Sequence, residues 1–212
     1  MTTLLHINVS PRGAESTSRR AGLRVRTHLA AHASLDGGEL TVIERDLAAD
    51  PLPPIGAAFT HANMVVAARR TDADPAALAL SETLIAELQA ADLVLITTPI
   101  HNFTVPAALK TWIDLVVRPE RTFAGTPQGK QPLLRDRPVL ALVSCGGRFD
   151  DRPGSQQDFF TPYLKYVLGT IGLARVEVIR LEGMVRPEAV THAFEHVEAW
   201  CGSALPALLA AA

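Results

Sequence analysis

The sequence predicts an α/β domain of the doubly wound class. It expects a five-stranded parallel sheet, strand order 2-1-3-4-5, with helices on both faces. Three observations carry this. Strand-like segments alternate with helical patterns in the order β-α-β-α-β-α-β-α-β. Four of the five strand segments are short and largely apolar, as strands covered on both faces must be. The chain has 212 residues, 48% hydrophobic and 20% charged, which suits a single domain over 1–212 with a substantial core.

The first strand, 4–9, is Leu4-Leu5-His6-Ile7-Asn8-Val9 and stops at Ser10. A loop follows, and a helix is expected over 18–33. The second strand, 40–45, reads Leu40-Thr41-Val42-Ile43-Glu44-Arg45 and is polar enough for a sheet edge. Asp50-Pro51-Leu52-Pro53-Pro54 is an extended connection, and its prolines delay any helix until after them. Helices are expected over 59–69 and 76–91, the latter with Leu78, Ile85 and Leu88 among its apolar positions. The third strand is 93–98. Pro106 then suits the first turn of a helix over 106–117. A strand at 139–144, a helix at 160–171, a strand at 175–181 and a helix at 189–209 complete the set. The Ala-rich end, 208–212, is expected to fray.

In such sheets, ligands bind outside the carboxyl ends of the strands, near the point where strand order reverses. The loops after strands one, three and four should therefore converge. The first carries Ser10, then Ser16, Thr17 and Ser18 at a helix start. Free N–H groups and the dipole at a helix N-terminus favour an anion, and the hydroxyls add donors. No Gly-Lys-Ser/Thr ending and no Gly-x-Gly-x-x-Gly pattern is present, so neither a P-loop nor the dinucleotide fingerprint applies. A hydroxyl-rich loop without lysine suits a single phosphate monoester, as in FMN. A plain strand–loop–helix connection capped by Ser16 would carry the same residues.

The second loop holds Pro99, Ile100, His101, Asn102 and Phe103 ahead of Pro106. Pinned backbone with an apolar ring suits a flavin, whose N5 and carbonyl oxygens accept hydrogen bonds. A structural loop with a buried Phe is the alternative. The third loop, Ser144-Cys145-Gly146-Gly147, offers close backbone approach and positive φ for a pyrimidine edge, or else a simple tight turn.

Composition narrows the rest. A net charge of −2 gives no reason to expect nucleic acid or an anionic membrane as partner. Arg12, Arg19, Arg20, Arg24 and Arg26 read as a solvated helix face, with a modest positive field near a phosphate as the alternative. Cys145 and Cys201 lie far apart without metal-type spacing, so no disulfide framework is expected. No signal peptide or membrane span is expected, and a cytoplasmic location is. His28/His32 and His192/His196 have i, i+4 spacing but no completing motif, so no metal site is expected. No Ser-His-Asp order or nucleophile elbow points to a hydrolase. Trp112 and Ile113 read as core or interface.

Taken together, Ser10 with Ser16-Thr17-Ser18, Asp46-Leu47-Ala48-Ala49-Asp50-Pro51 and Pro99-Ile100-His101-Asn102-Phe103 resemble a known pattern. So do Leu109-Lys110-Thr111-Trp112-Ile113-Asp114, Ser144-Cys145-Gly146-Gly147, Thr161-Pro162-Tyr163-Leu164 and Gly169-Thr170-Ile171-Gly172. The chain resembles the FMN-dependent NADH:quinone oxidoreductase and azoreductase family, of flavodoxin-like fold. The resemblance implies one noncovalent FMN per subunit and a homodimer with FMN at the interface. It also implies ping-pong hydride transfer from NADH or NADPH, through flavin N5, to quinones or azo compounds. By position, Ser10 and Ser16 to Ser18 would bind the phosphate. Ile100 to Phe103 would contact the ring, with Pro99 also in the cofactor-binding set, and Ser144 to Gly147 its pyrimidine edge.

The chain departs from the family pattern at Ile100 and His101, where Met and Tyr are usual, and at Cys145, where Arg is usual. Gly125 and Thr170 stand where some relatives carry bulky aromatics, which weakens the expectation of azo cleavage more than that of quinone reduction. His101 is expected to pack on the flavin, with proton donation as the alternative; Cys145 is expected to be a small filler rather than a redox thiol. A flavodoxin-type electron carrier and a flavin reductase that releases reduced FMN are the rival readings of the whole chain. The near-neutral charge and the long 51–75 segment count against the carrier.

Overall fold

In a computed structural model, residues 2–35, 37–65, 74–149 and 153–210 are described. The elements in chain order are β1 (Thr2–Asn8), α1 (Thr17–Leu35), β2 (Leu40–Asp46), α2 (Ala57–Met64), α3 (Asp74–Ala90), β3 (Leu93–Pro99) and α4 (Ala107–Val116). They continue with β4 (Phe123–Thr126), β5 (Gly129–Pro132), β6 (Val139–Ser144), α5 (Phe160–Ile171), β7 (Val176–Leu181), α6 (Pro187–Ser203) and α7 (Leu205–Ala210).

The main sheet has five parallel strands in the order β2-β1-β3-β6-β7, the expected 2-1-3-4-5 arrangement. Alternation along the strands divides the core into two clusters. Leu5, Ile7, Val94, Ile96, Ala141 and Val143 pack with Ile85 and Leu88 of α3, with Trp112 and Val116 of α4, and with Leu164 and Leu168 of α5. Leu4, Leu93, Leu95, Leu140 and Leu142 pack instead with Val25 and Leu29 of α1 and with Phe194 and Val197 of α6. The polar segment β2 does lie at an edge, half-buried along most of its length.

Several boundaries differ from the sequence reading. β4 and β5 form a separate antiparallel hairpin where the sequence pattern gives only loop, since Phe123–Thr126 and Gly129–Pro132 lack an apolar alternation. The helix expected over 59–69 begins at Ala57 and ends at Met64; 66–69 lie outside the described residues, as do 211 and 212 of the Ala-rich end. The helix expected over 189–209 is two helices, α6 and α7, with Ala204 between them and Pro206 in the first turn of the second. Pro106 takes the N-cap position of α4, one residue before its first turn.

Three sets of contacts fix the helices in place, two of them against the sheet. Gly22 of α1 lies so close to β1 and β3 that a Cβ there would stand 2.4 Å from Thr97 Cγ2 and 3.1 Å from His6 Nε2. Asp46, at the end of β2, accepts from Arg19 Nη2 at 2.6 Å and from the backbone N–H groups of Ala48 and Ala49 at 3.0 and 3.1 Å. Burial works against its charge, but the Arg19 and backbone hydrogen bonds prevail and hold the carboxyl below its usual range. The fully buried Arg118 donates to Asn63 Oδ1 (3.2 Å), Ser81 Oγ (3.0 Å) and Glu82 Oε1 (2.6 Å), tying α2 and α3 to the end of α4.

Gly22→Val should overpack the α1–sheet contact and cost about 1–3 kcal/mol in urea unfolding. Gly202→Ala, in the open on α6 with nothing within 4 Å, should be neutral or stabilising by up to about 1 kcal/mol.

His6 is buried beneath α1, and its pKa is pushed down to about 3 by desolvation, then by the charges of Arg26 and Arg19. A histidine kept neutral in the fold but free to protonate when unfolded adds stability above its unfolded pKa, near 6.5. That stability is lost as pH falls from there toward 3. Unfolding midpoints should therefore drop between pH 6.5 and about 5, and His6→Gln should flatten that slope.

Candidate functional site

The carboxyl ends of β1, β3, β6 and β7 lie side by side because the ladder continues past the strands. Val9 N–H donates to Thr97 O (2.9 Å), Ile100 N–H to Ser144 O (2.9 Å) and Cys145 N–H to Leu181 O (3.0 Å). A cleft of about 230 Å³ opens at these ends. It is lined by Ser10, Arg12, Ser16, Thr17, Pro99, Ile100, His101, Ser144, Cys145, Gly146, Met184 and Val185. Nine of the thirteen sequence-chosen residues line it. Ser18, Asn102, Phe103 and Gly147 do not.

One end of the cleft is built from hydroxyls. Ser16 Oγ caps α1 by accepting from Arg19 N–H at 3.3 Å, so the capping reading of Ser16 is correct as far as it goes. Ser16 Oγ is also 3.2 Å from Ser18 Oγ, and both side chains are buried. The N–H groups of Thr17 and Ser18, in the first turn, have no intrahelical acceptor. Ser10 Oγ accepts from Arg12 N–H at 3.3 Å, which folds the loop back toward the helix. Gly13 supplies the positive φ (+52°) that this turn requires.

Arg12 differs from the other arginines of the cluster. Arg19 pairs with Asp46, Arg24 with Glu198 and Arg26 with Glu44, while Arg20 and Arg24 lie 4.9 and 4.6 Å from the Phe194 ring. Arg20 and Arg24 are exposed, as a solvated helix face requires, while Arg19 and Arg26 are half-buried. Arg12 faces the cleft.

The middle of the cleft is formed by the 100–104 turn. His101 and Thr104 exchange both backbone hydrogen bonds at 3.1 Å, closing a two-residue hairpin over Asn102 (φ +45°) and Phe103 (φ +76°). Two successive positive φ values are the signature of a type I′ turn, which prefers Asn-Gly. Asn102 suits its place; Phe103 occupies the glycine position under strain. Phe103 is 53% exposed, not buried as the structural alternative required. His101 is likewise exposed at the cleft.

At the far end, Gly146 and Gly147 do not take the positive φ anticipated for them. Their use is close approach: a Cβ on Gly146 would stand 3.3 Å from Val185 Cγ1, and one on Gly147 would stand 2.9 Å from Gln156. Cys145 is buried, with Sγ 3.5 Å from Gly147 O and 3.6 Å from Leu181 O. Desolvation first, then Glu182, pushes its thiol up to about 12, so it fills space as a neutral group. Gly125 on β4 and Thr170 on α5 lie away from the cleft lining. His28 is engaged by Glu198 at 2.6 Å, and among the described residues no cluster of three metal-ligating side chains occurs. No helix among them is long and apolar enough to cross a membrane.

Of the five clustered arginines only Arg12 lines the cleft, where the alternative of a positive field near a phosphate applies. Met184 and Val185 were missed by the sequence reading. The signal was the strand count: the loop after strand five ends at the same edge of the sheet as the other three.

A family model described as flavodoxin-like fold matches residues 2–203. An FMN-dependent NADH:quinone oxidoreductase 2 from Cupriavidus pinatubonensis is 58% identical over 204 residues, covering 96% of this chain and 97% of the relative. The chain belongs to this flavodoxin-like family of FMN-dependent NADH:quinone oxidoreductases. An FMN-dependent NADH:quinone oxidoreductase 5 from Burkholderia lata is 48% identical, covering 91% of each chain. Among solved structures, an azoreductase from Bacillus anthracis superposes with a TM-score of 0.80 at 24% identity, covering 95% of this chain and 99% of that one. A likeness at that identity speaks to the fold.

Phe103→Gly should relieve the turn. The expected gain is about 1 kcal/mol, read as a rise of roughly 2–4 °C in the thermal midpoint. A lower midpoint would mean that the Phe103 ring, and not the backbone, holds the loop.

Proposed function

We propose that this protein is an FMN-dependent NAD(P)H:quinone oxidoreductase. The observation that carries the reading is the cleft itself. Buried hydroxyls and first-turn N–H groups gather at one end, and Ile100, Met184 and Val185 stand beyond them. These residues fit a phosphate monoester joined to a flat apolar ring. Relatives 58% and 48% identical, named for FMN, NADH and quinone, support the choice of cofactor and reaction.

In this reading, Ser10, Ser16, Thr17 and Ser18 hold the phosphate, with Arg12 adding positive charge. Pro99 to Phe103 support the ring, and Ser144 to Gly147 meet its pyrimidine edge with backbone groups. Ser18 acts through Ser16, whose hydroxyl it orients. Asn102 and Phe103 act through the turn they force, which aims His101 and Ile100 at the cleft. The chemistry bound FMN supplies is hydride acceptance at N5 from a nicotinamide and two-electron delivery to a quinone, in ping-pong order. The protein's part is to bind and orient the ring and to limit access to it. His101, exposed at the cleft, packs against the ring in this reading.

The reading extends to a single domain working in the cytoplasm as a homodimer with FMN near the interface. Two free, buried cysteines support the location, and the exposed aromatic side chains of Phe103, Phe159 and Tyr166 are available for contact with a second subunit. Azo compounds are secondary substrates.

Changing Ser16 and Ser18 together to Ala should weaken FMN binding by roughly 1–3 kcal/mol in fluorescence titration, the cost of lost hydrogen bonds to a charged group. Unchanged affinity would mean that the hydroxyl loop does not hold the phosphate. The wild-type protein should oxidise NADH steadily with a quinone and not with cytochrome c; the reverse would favour an electron carrier.

A further inference from the structure

The loop between β7 and α6 has features that flavin binding alone does not require. It is zipped to the β6 loop. Gly183 N–H donates to Gly147 O at 3.1 Å, and Met184 N–H donates to Cys145 O at 3.0 Å. These bonds hold Val185 at the mouth of the cleft, against Gly146, with 79% of its surface in solvent. A β-branched aliphatic held rigid and open beside a cleft is a ready contact for an incoming apolar ring.

Arg186 comes next. It takes the N-cap position of α6 yet makes no side-chain cap. Caps favour Ser, Thr, Asp or Asn, and the helix dipole disfavours a cation there. Local structure therefore gives no reason for this residue. Its guanidinium folds back over Gly183, since a Cβ on that glycine would lie 2.8 Å from Nη2. The carboxylate of the same loop, Glu182, is taken by Arg180 at 3.0 Å and by Phe149 N–H at 3.3 Å. Among the described residues no ion pair of Arg186 is seen, and this exposed residue directly follows Val185 of the cleft lining.

We infer that this loop is the acceptor-selecting wall of the cleft, and that Arg186 favours quinones bearing an anionic substituent such as a sulfonate or carboxylate. The inference rests on the quinone-reductase reading and adds the substrate class. Val185 supplies contact to the ring, and Arg186 supplies attraction to the charge. The second interaction is exposed, so it is worth a modest factor and falls with salt.

The test compares kcat/KM for a naphthoquinone and its sulfonate, using FMN-loaded protein. Arg186→Gln should lower the sulfonate-to-neutral ratio about three- to five-fold, and Arg186→Lys should restore most of it. Added salt should lower the ratio in the wild type and much less in Arg186→Gln. A ratio unchanged in Arg186→Gln overturns the inference. So does a variant in which only the rate of flavin bleaching by NADH falls, since the cation would then serve the donor. A wild-type protein that takes up no FMN fails earlier and removes the quinone-reductase reading with it, so the two failures are distinguishable.

Discussion

The whole arrangement depends on parallel register carried past the ends of the strands. Asn8 faces Thr97, Pro99 faces Ser144, and Ser144 faces Leu181, and the next backbone bonds continue each ladder by one residue. Four loops from distant parts of the chain are thereby brought to one line. A buried backbone group left without a partner is costly, so these bonds resist fraying. Gly22 completes the constraint. It lets α1 settle on Thr97 and His6, and that depth sets where the hydroxyl-bearing N-terminus of α1 meets the strand ends.

The cleft is divided by chemistry as a result. Its hydroxyl end uses side chains that a helix start already needs, so capping and anion binding draw on the same residues. Its far end uses glycines and short aliphatics, which let two loops touch without crowding. Between them sits a strained turn. Strain held at such a place is tolerated because the surrounding structure over-determines it: Pro99 and Pro106 flank the turn, and two backbone bonds close it.

The sheet order was legible because four strands are apolar runs separated by helix-period segments, and β2 was readable as an edge from Glu44 and Arg45. The hydroxyl loop was legible because Ser10 and Ser16 to Ser18 flank a strand end and a helix start. Other features left no local signal. Nothing in Asn102-Phe103 announces a type I′ turn, since its second position calls for glycine. Gly146 and Gly147 pointed to positive φ, but tertiary contact with Val185 and Gln156 was the real demand on them. Arg118 looks like a surface residue in sequence; only packing reveals that Asn63, Ser81 and Glu82 converge on it. The β4–β5 hairpin escaped because its strands bury little and so show no alternation.

The most direct measurement is the absorbance spectrum of purified protein supplied with FMN, recorded without oxygen, then after NADH and after a quinone. The account predicts a bound-flavin spectrum that bleaches with the nicotinamide and returns in full when the quinone is added. A protein that retains no FMN through gel filtration, or whose flavin is not bleached by either nicotinamide, would contradict it.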